Sequence, residues 1–324
     1  MEQTEVLLST HEERVRASAA DVHRLLADED NWPRVFASFV HLENLGRNGD
    51  FDRIGMWGHY DDGIEHWVAL RRVDPEALRV EFRPESLPPF LEAMRRTWVT
   101  EPADDGGCVV RLEHEYRLKG DDPEAAEAVR ADVERIALAE VAAVRGAAEL
   151  ATLTPEALVT VEDSVEVAAP AALVFSALYE AGHWPSFMGH VARADVRGED
   201  AGAGAPYGAH VLEMDTIERH GGIFTTRAAR VGLPDTKIAY KQLLLPPLGA
   251  SHHVRWLLEE QGAATVVRSV QTVVLKESGV AAVLGEGAGL AAARGFVQTE
   301  LSSKVRLIFD AVKDRLEQDA NRTI

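Results

Sequence analysis

The segment NWPRVF at residues 31–36 has a near copy in HWPSFM at residues 183–188. Each places a Trp-Pro pair beside a short helical pattern, and the copies lie 152 positions apart (183 − 31 = 152). Further along, Leu-Pro-Pro at residues 87–89 is matched by Leu-Pro-Pro at residues 245–247, with an offset of 158 (245 − 87 = 158). Ordered matches at nearly constant spacing predict an internal duplication, and a period of about 150 residues is that of a domain and not of a solenoid repeat.

The duplication sets the expected domain limits. A chain of 324 residues has room for two domains. Near residues 150–158 a long helical pattern stops and a proline follows, so we predict domains at residues 1–151 and 152–324. The second copy carries six extra residues (158 − 152 = 6), which we expect in the Gly/Ala-rich loop at residues 197–208.

Both copies show the same order of patterns. A strand near residues 4–17 in the first copy, and near 160–169 in the second, precedes short helices, a run of strands and one long helix. This order predicts an α+β fold with two tandem domains, each a curved antiparallel sheet around a long C-terminal helix. Because a sheet that curls around one helix leaves room between them, we also predict an internal cavity in each domain.

The composition argues against several classes of protein. With 34 Lys+Arg and 53 Asp+Glu the net charge is −19, which disfavours binding to nucleic acid or to an anionic membrane. The single cysteine, Cys108, excludes an internal disulfide framework and indicates a reducing, cytoplasmic setting. No metal-binding motif, no signal-peptide pattern and no apolar run of about 18 residues occurs, so we expect no metal and no membrane span.

Three motifs carry a family resemblance. They are the Trp-Pro pair, the W-V-x-x-R motif at Trp67–Arg71, and the R-x-x-x-x-Y-x-L-K strand at Arg111–Lys119. Together they resemble the polyketide aromatase/cyclases, which are helix-grip proteins of the Bet v 1/START-like superfamily, and two copies resemble the didomain subclass. The resemblance implies ring closure of a poly-β-ketone tethered to an acyl carrier protein, followed by dehydration, with no cofactor and with other polyketide synthase subunits as partners.

His114 is the one ionisable residue on the apolar face of the strand VVRLEHEYRLKG. A lone histidine on such a face is most often a hydrogen-bonded core residue. In a cavity, a neutral imidazole with a reference pKa near 6.5 could instead move a proton as a general acid or base. Gln271 occupies the matching position (271 − 114 = 157) and cannot shuttle a proton. We therefore expect two inequivalent pockets, with proton transfer mainly in the first.

Arg71 is placed in the pocket by the family resemblance, where it would hold an enolate or carbonyl oxygen. Its strand pattern alone is equally consistent with a solvated outer face. Ala229 matches it at an offset of 158, and Arg227, two residues earlier, is the expected substitute. Two further second-domain candidates are Tyr240, as a hydroxyl donor, and His252.

Tryptophans recur at the repeat anchors and on the resembling strand. They could line flat slots for a planar polyketide, or they could be core residues; the five are Trp32, Trp67, Trp98, Trp184 and Trp256.

Docking of an acyl carrier protein would need a local basic patch on the surface of this acidic chain. The candidates for such a patch are Arg34 and Arg95-Arg96. Two alternatives to an enzyme stay open: a non-catalytic two-pocket carrier of hydrophobic ligands, and a fold in which one copy only supports the other.

Overall fold

The computed structural model describes residues 6–61, 63–120, 123–199, 207–218 and 221–322. The chain divides into two compact units, one formed by residues 1–58 and 65–155, the other by residues 59–64 and 156–324. Most of the loop predicted at residues 197–208 lies outside the described residues.

The first domain begins with a strand and ends with a long helix. Its strands are β1 (Leu7–Val15), β2 (Phe39–Asn48), β3 (Phe51–Tyr60), β4 (Gly63–Asp74), β5 (Arg79–Pro84), β6 (Leu91–Pro102) and β7 (Cys108–Leu118). Its helices are α1 (Ala19–Ala27), α2 (Trp32–Val35) and α3 (Pro123–Leu153). As far as the chain is described, these strands form one antiparallel sheet in the order β1-β7-β6-β5-β4-β3-β2.

The second domain repeats this order. Its strands are β8 (Leu158–Val167), β9 (Val191–Glu199), β10 (Gly208–Ile217), β11 (Ile223–Leu233), β12 (Lys237–Gln242), β13 (Gly249–Gln261) and β14 (Ala264–Leu275). Its helices are α4 (Ala171–Tyr179), α5 (Val280–Leu284) and α6 (Leu290–Arg322), with a 3₁₀ helix at Ala181–Ser186. The sheet order is β8-β14-β13-β12-β11-β10-β9, the same as in the first domain. The predicted α+β class with two tandem sheet-and-helix domains is confirmed.

The Trp-Pro pair has the same structural task in both domains. The indole N–H of Trp32 donates to the carbonyl of Leu26 at 3.0 Å, and that of Trp184 donates to the carbonyl of Ala177 at 3.0 Å. Each accepting carbonyl lies in the last turns of the domain's first helix, where carbonyls lack an intrahelical partner. The buried ring thus holds that helix against the sheet.

The long helix covers one face of each sheet. In α3 the buried residues are Ala137, Val141, Val144 and Ala148, which recur at the three- and four-residue spacing of one helix face. In α6 the same role falls to residues that include Val305, Phe309 and Val312. Side chains on the inner face of each sheet therefore lie under the helix, and this face holds the candidates Arg71, His114, Tyr240, His252 and Gln271.

No helix within the described ranges is both long and apolar enough to cross a lipid bilayer.

Candidate functional site

A row of four side chains crosses the inner face of the first sheet. Arg71 pairs with Phe82 across β4 and β5, Phe82 with Arg96 across β5 and β6, and Arg96 with His114 across β6 and β7. Because neighbouring strands are about 4.8 Å apart, the backbones of Arg71 and His114 are about 14 Å apart along the sheet. The two predicted catalytic residues therefore share a face but would touch different atoms of an extended ligand.

His114 is 3% exposed, and its hydrogen bonding determines its tautomer. The Nε–H of Arg96 donates to Nε2 of His114 at 3.0 Å. Since a guanidinium has only donors, Nε2 must accept, and the single proton of the neutral ring lies on Nδ1. That Nδ1 is buried and has no hydrogen-bond partner among the described residues. The ring thus presents a hydrogen-bond donor to the interior.

The surroundings of His114 keep its ring uncharged. Burial lowers its pKa from 6.5 to about 3, and the positive charges of Arg96 and His11 add to the effect. The imidazole is therefore neutral at pH 7, which suits hydrogen-bond donation. Sequence reasoning placed the residue on the correct face and could not supply its surroundings.

Arg96 was one of the candidates for a basic docking patch, but the structure shows its side chain paired on the inner face of the sheet. Its guanidinium lies between His114 and the carboxylate of Glu140 on α3, with which it forms an ion pair. Burial raises the pKa of Glu140, and the charge of Arg96 opposes that rise. The alternation of side chains along β6 could have identified Arg96 from the sequence, because it lies on the same face as Trp98. Glu140 carried no such signal.

Arg71 is buried, and its guanidinium is bound to other groups of the protein. Its Nη1 donates to the backbone carbonyl of Ala27 at 3.0 Å and to Glu29 at 2.7 Å, while Nη2 lies 3.4 Å from Asp52. Arg71 therefore joins the C-terminal end of α1 to β4, and its charge is neutralised by two carboxylates. The alternative of a solvated outer-face arginine is excluded. Both N–H groups of Nη1 and one of Nη2 are used by these partners, while Nε is buried and unpartnered among the described residues. An enolate would have to compete with the bound groups for most of the guanidinium.

The second-domain counterpart of Arg71 is Arg230 and not Ala229 or Arg227. Arg230 pairs with Tyr240 across β11 and β12, as Arg71 pairs with Phe82. Arg227 and Ala229 alternate with Arg230 along the strand, so they lie on the opposite face. The cause is the turn that follows this strand: four residues separate the paired Asp74 and Arg79 in the first domain, but three separate Leu233 and Lys237 in the second.

Arg230 is a fully buried cation with a different set of partners. Its two Nη atoms donate to the carbonyls of Leu178 and Tyr179, at 2.7 and 3.1 Å, at the C-terminal end of α4. Its Cζ lies 5.3 Å from the ring centroid of Trp184 and 5.9 Å from that of Trp256. Burial lowers its pKa to about 10, so it remains charged at pH 7. Helix-end carbonyls and aromatic faces both favour a cation.

Gln271 and His252 form a pair on the inner face of the second sheet. Oε1 of Gln271 lies 3.1 Å from Nε2 of His252, and its amide Nε2 donates to the carbonyl of Leu301 at 3.5 Å. Because the amide group faces that carbonyl, Oε1 accepts from His252, whose proton is then on Nε2 and whose Nδ1 is an acceptor. Burial lowers the pKa of His252 to about 4, although the hydrogen bond to Gln271 opposes this.

Four of the five predicted tryptophans are packed core residues, each no more than 3% exposed: Trp32, Trp98, Trp184 and Trp256. Trp67 is half-buried and packs against the hydrophobic core of the first domain.

The ring of Tyr240 packs edge-on against that of Trp256, with 5.3 Å between the ring centroids, and burial raises the pKa of Tyr240. In the part of the chain that is described, no three His, Cys, Asp or Glu side chains are grouped to hold a metal ion.

The chain is similar to characterised proteins over nearly its whole length. Residues 8–145 match the family described as polyketide cyclase / dehydrase and lipid transport. The chain is 31% identical over 299 residues to the granaticin polyketide synthase bifunctional cyclase/dehydratase of Streptomyces virginiae, covering 91% of this chain and 95% of the relative. It is 29% identical over 300 residues to the actinorhodin polyketide synthase bifunctional cyclase/dehydratase of Streptomyces coelicolor, covering 91% and 92%.

Solved structures agree with these relatives. The di-domain ARO/CYC BexL from the BE-7585A biosynthetic pathway matches with a TM-score of 0.87 at 36% identity, over 95% of this chain and 98% of that one. The di-domain ARO/CYC StfQ from the steffimycin biosynthetic pathway matches with a TM-score of 0.82 at 30% identity, over 97% and 99%. The predicted resemblance and the helix-grip architecture are confirmed.

Proposed function

Since this chain belongs to the family of didomain polyketide cyclase/dehydratases, we propose that it is an aromatase/cyclase of type II aromatic polyketide biosynthesis. It catalyses regiospecific first-ring aldol cyclisation, dehydrative aromatisation, or both, on a poly-β-ketone. The observation that carries the proposal is the match to bifunctional cyclase/dehydratases across both domains of the chain and nearly the full length of the relatives.

We propose that the first domain activates the carbonyl that is attacked. In an aldol closure an enolate carbon bonds to a carbonyl carbon, and the carbonyl oxygen becomes an alkoxide that takes up a proton. The buried Nδ1–H of His114 is a fixed donor that would stabilise this oxygen as its charge develops. A neutral imidazole does this without first needing a proton from solvent.

We propose that the second domain contributes an acceptor. His252, held by Gln271 with its proton on Nε2, has an Nδ1 lone pair that can take a proton from carbon. Loss of that proton from carbon and departure of the aldol hydroxyl as hydroxide together remove one water and form a ring double bond. Enolisation of the remaining ring ketones then completes the aromatic ring. The assignment differs from the expectation that proton transfer runs in the first domain, because His114 cannot accept a proton while Nε2 is bound to Arg96.

Partners and setting are part of the proposal. The substrate would be tethered to an acyl carrier protein, other polyketide synthase subunits would supply it, and no cofactor takes part in the chemistry above. The single cysteine is consistent with work in the cytoplasm. We propose catalytic domains at residues 1–151 and 152–324, a limit two residues before the end of α3 at Leu153. The substrate would lie between each sheet and its long helix.

The test is reconstitution with a minimal polyketide synthase and analysis of the products. We expect the wild-type protein to redirect uncyclised shunt products to one aromatic ring pattern. His114→Ala should lose this effect, while Arg79→Ala, at an exposed ion pair, should keep it. An unchanged shunt profile with the wild-type protein would support the alternative of a two-pocket carrier of hydrophobic ligands.

A further inference from the structure

We propose that Arg96 and Glu140 are positioning residues for His114, which hold its imidazole as the Nδ1–H tautomer so that a donor faces the substrate. The catalytic half of this inference rests on the proposed function. The tautomer itself is a property of the protein without substrate.

The contact between Arg96 and His114 is set by the sheet. The two residues are directly opposite each other on β6 and β7, and the Nε–H to Nε2 distance of 3.0 Å is that of a normal hydrogen bond. An imidazole in water exchanges its proton between both nitrogens. Here one nitrogen faces a group that can only donate, so the proton is confined to the other.

Glu140 holds the arginine in turn. It lies on α3 and pairs with Nη2 of Arg96, so the ion pair joins the long helix to the sheet above His114. The Glu140 side chain is 15% exposed and the Arg96 side chain 22% exposed, which limits the freedom of both. The other titratable group close to His114 is His11 on β1, the first strand of the sheet. Arg96 thus has one partner on each side.

The duplication supplies an internal comparison. The long helices are aligned by an equivalent contact, since Glu149 of α3 and Glu317 of α6 each accept from the backbone N–H that follows the domain's first strand, at 3.0 and 3.1 Å. The helix offset is therefore 168 (317 − 149 = 168). At the position that matches Glu140 the second domain has Ile308 (140 + 168 = 308).

The same comparison applies to the sheet. Gln271 pairs with Val254 where His114 pairs with Arg96. All three polar residues of the first domain are therefore replaced together in the second, by Gln271, Val254 and Ile308. A charged pair needed only to join helix and sheet would be useful in both domains. Of the two matched sites, only that of the first domain has the charged pair, and only there does a histidine lie beside it.

The decisive variant replaces both positioning residues with their second-domain counterparts, Arg96→Val and Glu140→Ile. Replacing both residues at once leaves no buried charge without a partner. The same two apolar residues, Val254 and Ile308, stand at the matching positions of the second domain. Nitrogen NMR of labelled histidine, recorded without substrate, should show one Nδ1–H tautomer for His114 in the wild type and a mixture in the double variant. Cyclisation kcat should fall about 10-fold or more, the order seen when a partner that orients an imidazole is lost, with KM changed less.

Two controls separate positioning from general damage. The matched pair Arg79→Val and Glu113→Ile removes an exposed ion pair and should leave both the tautomer and kcat unchanged. Arg96→Lys keeps a cationic donor and should retain most of the Nδ1–H form. An unchanged tautomer in the Arg96/Glu140 variant would overturn the proposal, and a changed tautomer with unchanged kcat would overturn its catalytic half. Absence of cyclisation by the wild type, with the tautomer shift as expected, would instead refute the proposed function.

Discussion

Arg230 stands in the second domain where Arg71 stands in the first, yet the carboxylates that neutralise Arg71 have no counterpart around Arg230 among the described residues. His210 makes the contact to Arg230, at 3.3 Å, that Asp52 makes to Arg71. Ala181 replaces Glu29 (181 − 29 = 152). Both arginines donate to a helix-end carbonyl, but only Arg71 adds ion pairs, whereas Arg230 adds a second carbonyl and aromatic rings.

Replacing each arginine with methionine should separate these two modes. Arg71→Met strands two carboxylates and should cost about 2–3 kcal/mol, below the value for a fully buried pair because each carboxylate is 27% exposed. Arg230→Met strands no charge, but leaves two carbonyls and Nε2 of His210 without this donor, and should cost about 1–2 kcal/mol. Urea denaturation of the two variants measures the difference. A larger loss for Arg230→Met would show that its aromatic contacts outweigh the ion pairs.

The role of His114 predicts a graded series of activities. His114→Ala removes the donor and should lower cyclisation kcat about 10²–10³-fold, as for loss of one oxyanion donor. His114→Gln retains an amide N–H at this position and should keep more activity than the alanine variant. Product formation from a carrier-tethered substrate, at saturating concentration, gives the comparison. If alanine and glutamine variants are equally impaired, hydrogen-bond donation is not the function of this ring.

The buried histidines predict a loss of stability in acid. The pKa values of His114 and His210 are lowered to about 3 in the folded protein, against 6.5 for an exposed ring, so the unfolded chain binds more protons between these values. Stability should therefore fall as the pH drops from about 6.5 towards 3, by about 1.4 kcal/mol per pH unit for each ring. Above pH 7 neither ring contributes to the pH dependence.

The single variant His210→Gln checks this. Urea denaturation at pH 7, 5.5 and 4.5 should show a shallower loss of stability than in the wild type. His183→Gln, which alters an exposed histidine, is the matched control and should leave the slope unchanged. Parallel slopes for the wild type and His210→Gln would contradict the lowered pKa of His210.

The Trp-Pro anchors should contribute comparable stability in the two domains. Trp32→Phe and Trp184→Phe each keep an aromatic ring and remove the N–H that satisfies a helix-end carbonyl. We expect each to cost about 1–3 kcal/mol, the penalty for a buried acceptor left without its donor. Thermal unfolding measures both. A cost confined to one variant would show that the repeated motif serves only one domain.

Much of the fold could be predicted from local sequence patterns. The repeated Trp-Pro pair revealed the duplication because an internal comparison needs no knowledge of packing. The alternation along β7 placed His114 on the buried face, since successive residues of a strand point to opposite sides. The order of strands and helices predicted two sheets, each with one long helix.

The sequence by itself thus determined the architecture, the duplication and the inward direction of His114. Only the tertiary structure decided what the site residues do. The match of Arg230 to Arg71 depends on the turn after this strand, which is one residue shorter in the second domain, so the offset is 159 at Arg71 (230 − 71 = 159) and 158 at Phe82 (240 − 82 = 158). The tautomer of His114 depends on Arg96, 18 positions away, and on Glu140 of α3. Such contacts join residues that are distant in the chain, so their geometry follows from strand register and helix packing and not from local propensity.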